Sequence, residues 1–574
     1  ANCLATPGVI QLLISGRPVI PRFAPHHGEP IDRLKRLGLN IVWIDDFQDL
    51  KRIEEIREHS MWAMASPPSV RVSAPDQTGA IEVSLPPFGP ETEGIFAWYM
   101  GTRIPESARD RLETDARLVR AADRVLQRPV IGDIGGLERA YSRVLDGVGL
   151  SRHPLQTEFG LLDYRRFLTQ KIRLLRPGTF VTSWVQTEVA PERLDDEIDD
   201  SLVPVLEPEL IRLQTLAAVS AGVQGIGFWK RTAFDADFPG ARERELAIAI
   251  VNQELDLLEP WLATRTLTTY QRVPLTPSAA RASRGQTAAE RVRLTRSSSR
   301  LERDRQKQTE AAAERNASLS SVTEDSDVVE MAVIDSANGL LLIPIWYEAG
   351  AQFVPGEMAV HALDLLVPGV PDTATVWQVS TTQVRSLPAK SVAGGVQVTL
   401  ERFDQAAFLV VSTDPNWGRI LQDRIRETRI RSAALWLSLA KTKFERIQQT
   451  DTELRHLGVG QPDGPQLLSK AAMFLKEAER SYDELSMSPL KQTPGRSIAA
   501  TEYSIGATGP AAVRRWSEAA LQEIRILQRA HWEDAVAEMS SPLSSPYTAS
   551  YETLPDHWRL IRRIGASPVD TPRN

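Results

Sequence analysis

Eight short apolar runs alternate with amphipathic or polar stretches through the first 230 residues. They lie near Pro18–Ala24, Asn40–Asp45, Met61–Ser66, Ile95–Thr102, Pro129–Asp133, Val148–Arg152, Thr179–Gln186 and Val223–Trp229. Several are apolar at consecutive positions rather than at every second one, the pattern of a parallel strand covered on both faces. Between them the spacing predicts helices over Ile31–Leu37, Leu50–His59, Ser107–Gln127, Leu137–Leu145, Asp163–Leu175 and Glu209–Ala221. Asp163 supplies a start signal and Arg176-Pro177-Gly178 a stop. Pro67–Gly94, between the third and fourth runs, is proline-rich and shows no helical period. Eight such units predict a (β/α)₈ TIM barrel. A doubly wound sheet is the alternative, but the first run is not followed by the glycine-rich phosphate turn that fold often carries.

The pattern then changes three times. A helix over Arg242–Leu258, ended by Pro260-Trp261, closes the barrel. Ser278 to Asp327 is rich in Arg, Ser, Glu, Gln and Ala, cannot bury enough apolar surface to order itself, and is predicted to be disordered; its Asn316-Ala-Ser is a glycosylation sequon by pattern. Val328–Thr413 carries short alternating runs (Leu340–Trp346, Ala374–Val379, Val396–Leu400, Ala407–Val411), which predict an antiparallel β-sandwich. Arg419–Leu457, Pro465–Met487 and Pro510–Glu538 have the period of long amphipathic helices and predict a bundle, with a loop over Ser488–Gly509. The scattered prolines after Ser540 read as turns, and Tyr547, Tyr551 and Trp558 predict that this tail packs back on the chain. The expected domains are thus a barrel at 1–265, an insertion at 278–327, a sandwich at 328–414, a helical bundle at 415–540 and a tail at 541–574.

A chain of 574 residues exceeds what one core holds, which agrees with that division. A net charge of -7 gives no basic footprint for nucleic acid, and no apolar run approaches the roughly 20 residues of a membrane span. The single cysteine, Cys3, rules out an intrachain disulfide and a cysteine metal cluster. The chain begins in mid-pattern at Ala1, and a secreted or periplasmic protein whose signal peptide lies outside this chain is the expectation. Thirteen Trp against nine Tyr is compatible with aromatic platforms for sugars, although core packing accounts for most buried Trp.

In such a barrel the chemistry sits at the C-terminal ends of the strands. Those ends offer Arg22, His26, His27 and Glu29 from the first strand, Asp45 and Asp46 from the second, and Ser66 from the third. The fourth offers Tyr99, Arg103 and Glu106, the fifth Asp133, and the sixth Arg152 and His153. The seventh gives Gln186 and Glu188, the eighth Trp229, Lys230 and Arg231. Carboxylates, guanidinium groups and aromatic faces together suit a polyhydroxylated ligand. Trp229, Arg22, His27, Asp45, Arg103, Arg152, Gln186 and Lys230 are therefore the candidate substrate-binding residues. Bland readings stand beside these: Glu188 paired with Arg152 or Lys230, Asp45-Asp46 capping the next helix, and Asp195–Asp200 as an exposed acidic loop. His26-His27 with Asp45 does not make a convincing metal site, because adjacent histidines point apart, and neither a metal nor a cofactor is expected.

Residues 15 to 262 resemble the clan A glycoside hydrolases, the retaining barrel enzymes that include β-galactosidases and cellulases. The resemblance rests on Ser15-Gly-Arg-Pro-Val-Ile-Pro-Arg22, on Leu34-Lys-Arg-Leu-Gly-Leu-Asn-Ile-Val-Trp43 and on Trp229. It implies an acid/base glutamate after strand four and a nucleophile after strand seven, about 5 Å apart. Glu188 falls in the nucleophile position. Strand four of the family reads Trp-x-x-x-Asn-Glu, whereas this chain has Trp98-Tyr-Met-Gly-Thr-Arg103. An arginine cannot donate a proton at working pH, so Glu106 or Asp133 would have to act as the acid. The resemblance thus implies a glycoside hydrolase-like protein acting on a poly- or oligosaccharide by carboxylate chemistry. The alternative is a non-catalytic carbohydrate-binding or surface-assembly protein on a degenerate barrel, with a protein partner reached through the C-terminal helices.

Overall fold

The structure, a computed structural model, describes residues 2–6, 9–14, 16–68, 71–72, 83–85, 88–189, 204–273, 327–356, 359–487, 509–537 and 550–566. Most of the predicted disordered insertion with its sequon, the acidic run Asp195–Asp200, the Ser488–Gly509 loop apart from Gly509, and Tyr547 lie outside the described residues.

The eight apolar runs are the eight strands of a closed, parallel barrel. In order they are Arg22–Pro25, Ile41–Ile44, Trp62–Ala65, Ile95–Tyr99, Val130–Asp133, Gly147–Gly149, Phe180–Gln186 and Gly225–Trp229, the last pairing with the first. Around them run α1 (Ile31–Arg36), α2 (Leu50–Glu58), α3 (Arg109–Ala122), α4 (Glu138–Tyr141), α5 (Leu161–Leu174), α6 (Pro208–Ala221) and α7 (Ala241–Leu262). The cap of α2 is Asp49, whose side chain accepts from the Arg52 N–H at 2.9 Å, and not Asp45 or Asp46. Every residue of α6 is buried, because its outer face lies beneath the later domains rather than in water. Residues ahead of the barrel form a separate three-stranded antiparallel sheet, Asn2–Thr6, Val9–Ile14 and Arg17–Pro18. Its last turn has Gly16 at φ 77°, the left-handed geometry a two-residue hairpin demands. The first predicted run therefore mixes the end of this hairpin with the true barrel strand.

Pro260 does not end α7, which continues to Leu262. A proline inside a helix leaves the carbonyl four residues earlier without its donor. That carbonyl, on Asp256, accepts instead from Arg424 Nη2 at 2.6 Å. Next door, fully buried Trp261 contacts Trp417 at 4.5 Å between ring centroids, so the end of α7 is fastened to the C-terminal part of the chain.

The β-sandwich begins earlier than the sequence pattern indicated. Its six-stranded sheet runs Arg265–Val273, Asp327–Ser336, Gly339–Glu348, Phe408–Ser412, Thr375–Val379 and Val384–Leu387. The second sheet is Ala359–Pro368, Gly395–Asp404 and Ala389–Val392. Leu342, Val376 and Leu409 of the first meet Leu363, Val398 and Leu400 of the second in one core. Residues 274–326 thus join two strands that are direct antiparallel partners.

The bundle follows as α8 (Asn416–His456), α9 (Gly464–Met487) and α10 (Pro510–Ala537). The tail, read as turns, contains a further helix, α11 (Leu554–Ala566), with Pro555 in its first turn, where a missing N–H costs nothing. Tyr551 and Leu554 are buried in the bundle core, with Trp558 packed beside them.

The bundle meets the barrel through a buried ionic cluster. Lys443 Nζ lies 2.8 and 2.7 Å from the two oxygens of Glu209 and 2.8 Å from Glu207. Arg446 reaches Glu207 at 3.0 Å and Glu243 at 2.6 Å. Both guanidinium and ammonium hold Glu207, whose pKa falls to about 2 because those charges outweigh its burial. At Glu243 burial, helped by the nearby charge of Glu207, outweighs Arg446 and the more weakly acting Lys443, and the pKa rises. Among the described residues no helix is long and apolar enough to cross a membrane.

Candidate functional site

Alternation along the strands sends one set of side chains into the barrel lumen and the other against the helices. The lumen set is largely aromatic: Phe23, Phe96, Tyr99, Phe180 and Trp184 beside Ile41, Met64, Ala97 and Ile131, with half-buried Trp43, Trp62 and Trp229 packed against them. Trp184 Nε1 donates to the Tyr99 hydroxyl at 2.6 Å. Trp43 lies 5.0 Å from Tyr99 and 5.8 Å from Trp184, ring to ring. Strand eight makes room for this with Gly227, where a Cβ would stand 2.5 Å from both Phe23 and Trp184. Nearer the mouth, Trp229 contacts the His153 ring at 4.9 Å.

Asp133 ends strand five, buried at the lumen's edge. Its Oδ1 accepts from Ser151 Oγ at 2.6 Å and its Oδ2 from the Arg103 N–H at 3.0 Å. Burial raises its pKa, and these bonds offset that only in part. The hydroxyl of Tyr99 is pushed well up by its own burial and then by the charge of Asp133.

Glu188 does not face a free cleft. Oε1 accepts from the Thr232 N–H at 3.2 Å and Thr232 Oγ1 at 2.5 Å, and is bonded to Arg244 Nη1. Oε2 accepts from the Arg231 N–H at 2.9 Å. The side chains of Glu188 and Arg244 are 6% and 2% exposed, so this is a buried ion pair. The cations paired with Glu188 are thus Arg244, from α7, and Arg231, rather than the expected Arg152 or Lys230. Lys230 is held elsewhere, 2.9 Å from Glu29 in a pair with no exposed side-chain surface.

The remaining predicted residues are scattered. Arg22 begins strand one, at the end opposite the mouth, and donates to the Asn252 carbonyl at 3.1 Å and to Asp256 at 3.2 Å on α7. It faces the helix layer because alternation in that strand puts Phe23 inward. Arg152 lies over the Phe159 ring at 4.1 Å. Gln186 is buried, with Oε1 accepting from the Leu155 N–H at 3.2 Å. Glu106 opens a short 3₁₀ turn and rests against Gly136 in the loop after strand five, whereas the partners of Glu188 all follow strand eight. Asp45 and His27 are exposed, and Arg103, in a left-handed conformation at φ 49°, reaches His153 Nδ1 at 3.5 Å. His26 and His27 are hydrogen-bonded to the carbonyls of Glu29 and Lys230 and do not converge. No group of three His, Cys, Asp or Glu that could hold a metal ion occurs among the described residues.

Ser151 and Arg244 were not among the predicted site residues. Arg244 was nevertheless visible: it heads the buried stripe continued by Ile248, Val251 and Leu255, and a charge in an apolar stripe needs a partner. Ser151 left no signal, being one serine after a three-residue strand.

No protein-family model matches the chain, and no curated protein matches it. Among solved structures it is similar to a GH27 β-L-arabinopyranosidase from Geobacillus stearothermophilus, solved in complex with arabinose. The TM-score is 0.37 at 8% identity, over 68% of this chain and 97% of the other. So distant a similarity carries nothing about the chemistry of the mouth, which stands on its own geometry.

Proposed function

We propose that this is a carbohydrate-binding protein built on a glycoside hydrolase-like barrel, in which the strand-seven carboxylate has become a structural group. The observation that carries the reading is the saturation of Glu188 by Arg244, Thr232 and Arg231. A retaining nucleophile needs an oxygen free to reach an anomeric carbon and a second carboxyl across the bond. Glu188 has its oxygens engaged, and Glu106 lies in another loop. What the mouth does offer is Trp229 beside His153, the edge of Trp43, and the exposed polar groups of His27, Asp45, Arg103 and Arg152. Aromatic faces take the C–H faces of a sugar ring, and the polar rim takes its hydroxyls. This ligand-binding role belongs to the barrel, residues 1–265 in our division. A secreted or periplasmic setting and a protein partner on the outer faces of the bundle complete the proposal.

One observation favours hydrolysis instead. Asp133 is a buried carboxyl with a raised pKa, the property of a general acid. Binding of a glycan panel and turnover of aryl glycosides, measured side by side, separate the two. Binding without turnover, weakened about tenfold or more by Trp229→Ala, is the expected result. Turnover by the unaltered chain that is lost in Asp133→Asn would reject the binding-only reading.

A further inference from the structure

Where the barrel, sandwich and bundle meet, a cavity of ≈ 50 Å³ is lined by α6 and α7, by the Asp404–Ala406 turn, and by α8 and α10. At about 10–15 Å³ for each water it could hold, it has room for a few waters or one small ion. Four lining side chains carry buried donors that have no hydrogen-bond partner among the described residues: Gln405 Nε2, Trp436 Nε1, Arg514 Nη1 and Arg525 Nε. Gln405, Trp436 and Arg525 are 9%, 7% and 3% exposed. Gln405 takes a left-handed backbone, φ 60°, unusual for a residue with a Cβ.

The charges of the wall are already matched. Arg525 Nη2 donates to both oxygens of Asp404 at 2.7 Å, Arg514 Nε to Glu518 at 2.8 Å, and Arg212 Nε to Glu254 at 2.8 Å, while Glu209 is held by Lys443. The groups left unmet at this wall are donors on cationic or neutral side chains. Buried donors without acceptors are expensive. A water accepts from at most two of these donors and must turn its own two hydrogens to carboxylate oxygens that already accept a bond. A small anion offers acceptors only and brings no hydrogens of its own. We infer that this junction is a binding site for one small monovalent anion, a carboxylate or halide, which ties the three domains together. The inference is independent of the sugar-binding reading of the mouth.

The test has a crystallographic arm and a solution arm. Crystals of the chain soaked in sodium bromide are expected to show an anomalous peak within about 3.5 Å of these donors. In solution, sodium acetate at fixed ionic strength is expected to raise Tm along a saturating curve. Trp436→Phe, which removes one donor, and Gln405→Asn, which withdraws another while keeping a residue tolerant of left-handed backbone, should each shift half-saturation at least about tenfold upward. A cavity without bromide, or an acetate effect unchanged in both variants, overturns the proposal. Should a variant fail to fold, the bromide map of the unaltered chain decides alone.

Discussion

Replacing Glu188 by glutamine keeps the shape of the side chain and removes only its charge. The amide then has one oxygen for donors on two sides. Placed toward Arg244 and Thr232, that oxygen leaves the amide N–H₂ against the Arg231 N–H, a donor facing a donor. Turned the other way, it leaves N–H₂ against the Arg244 guanidinium, buried to 2% exposure. Breaking a buried ion pair from one side costs about 3–5 kcal/mol. The retained oxygen still serves one side, so about 3 kcal/mol is the expected loss. Urea unfolding followed by tryptophan fluorescence and circular dichroism measures it. Arg244→Met alone should cost a similar amount. The double variant Glu188→Gln with Arg244→Met should cost clearly less than the sum, a coupling of about 2 kcal/mol. Glycan binding should survive in whatever fraction stays folded. The reasoning is refuted if Glu188→Gln keeps stability within about 1 kcal/mol of the unaltered chain while glycoside turnover collapses, for then the carboxylate serves chemistry and not the fold.

Asp133 has a folded pKa raised above its ordinary 3.8. Its contribution to stability is therefore complete below 3.8 and is lost as pH climbs through the raised value. Asp133→Asn, lacking that titration, should gain relative to the unaltered chain as pH crosses this window; a constant difference from pH 3 to 8 would contradict the burial argument. Glu207 moves the other way, from 4.5 to about 2, so its contribution is present above 4.5 and is lost as pH falls toward 2. Glu207→Gln should flatten acid unfolding across that interval, and an unchanged acid profile would argue against the Lys443–Arg446 cluster as the cause. Gly227→Ala places a methyl against Phe23 and Trp184 and should destabilise by about 1–3 kcal/mol while weakening glycan binding. Unaltered binding with the same stability loss would put the ligand outside the aromatic lumen.

The architecture was legible because its signals are repetitive. Eight buried parallel strands leave eight apolar runs, and three long helices leave three amphipathic periods. The elements that stayed hidden lack repetition: the Asn2–Pro18 hairpins, and Arg265–Val273, whose side chains are mostly polar and, between its two buried ends, at most partly buried because it is the edge of its sheet. The helix after Leu554 was hidden by the prolines around it, one of which merely sits in its first turn. The site was less legible, for a physical reason. Strand ends show which residues stand at the mouth, but not which of them bond to each other. Arg244 and Glu188 are 56 positions apart and meet only because strand eight carries its loop past both. Arg22 fell on the wrong side because the strand begins four residues later than its hydrophobic run suggested, which makes Arg22 the first residue of the strand and not its exit.

The two buried pairs at the mouth share a consequence. Lys230–Glu29 ties the loop after strand eight to the exit of strand one, and Arg244–Glu188, with Thr232, ties the same loop to the exit of strand seven. Burying ions in this way yields little net stability compared with apolar packing of the same volume, so their effect here is geometric. Between those two anchors the strand ends at Trp229, beside the edge of the aromatic lumen. A loop pinned on both sides holds that indole in place before any ligand arrives, which lowers the ordering cost of binding. Glu188, the carboxylate that hydrolysis would need free, is one of the pins. On the proposed carbohydrate-binding reading, Glu29 and Glu188 serve as anchors that fix the indole, an arrangement that suits holding a sugar rather than cleaving it.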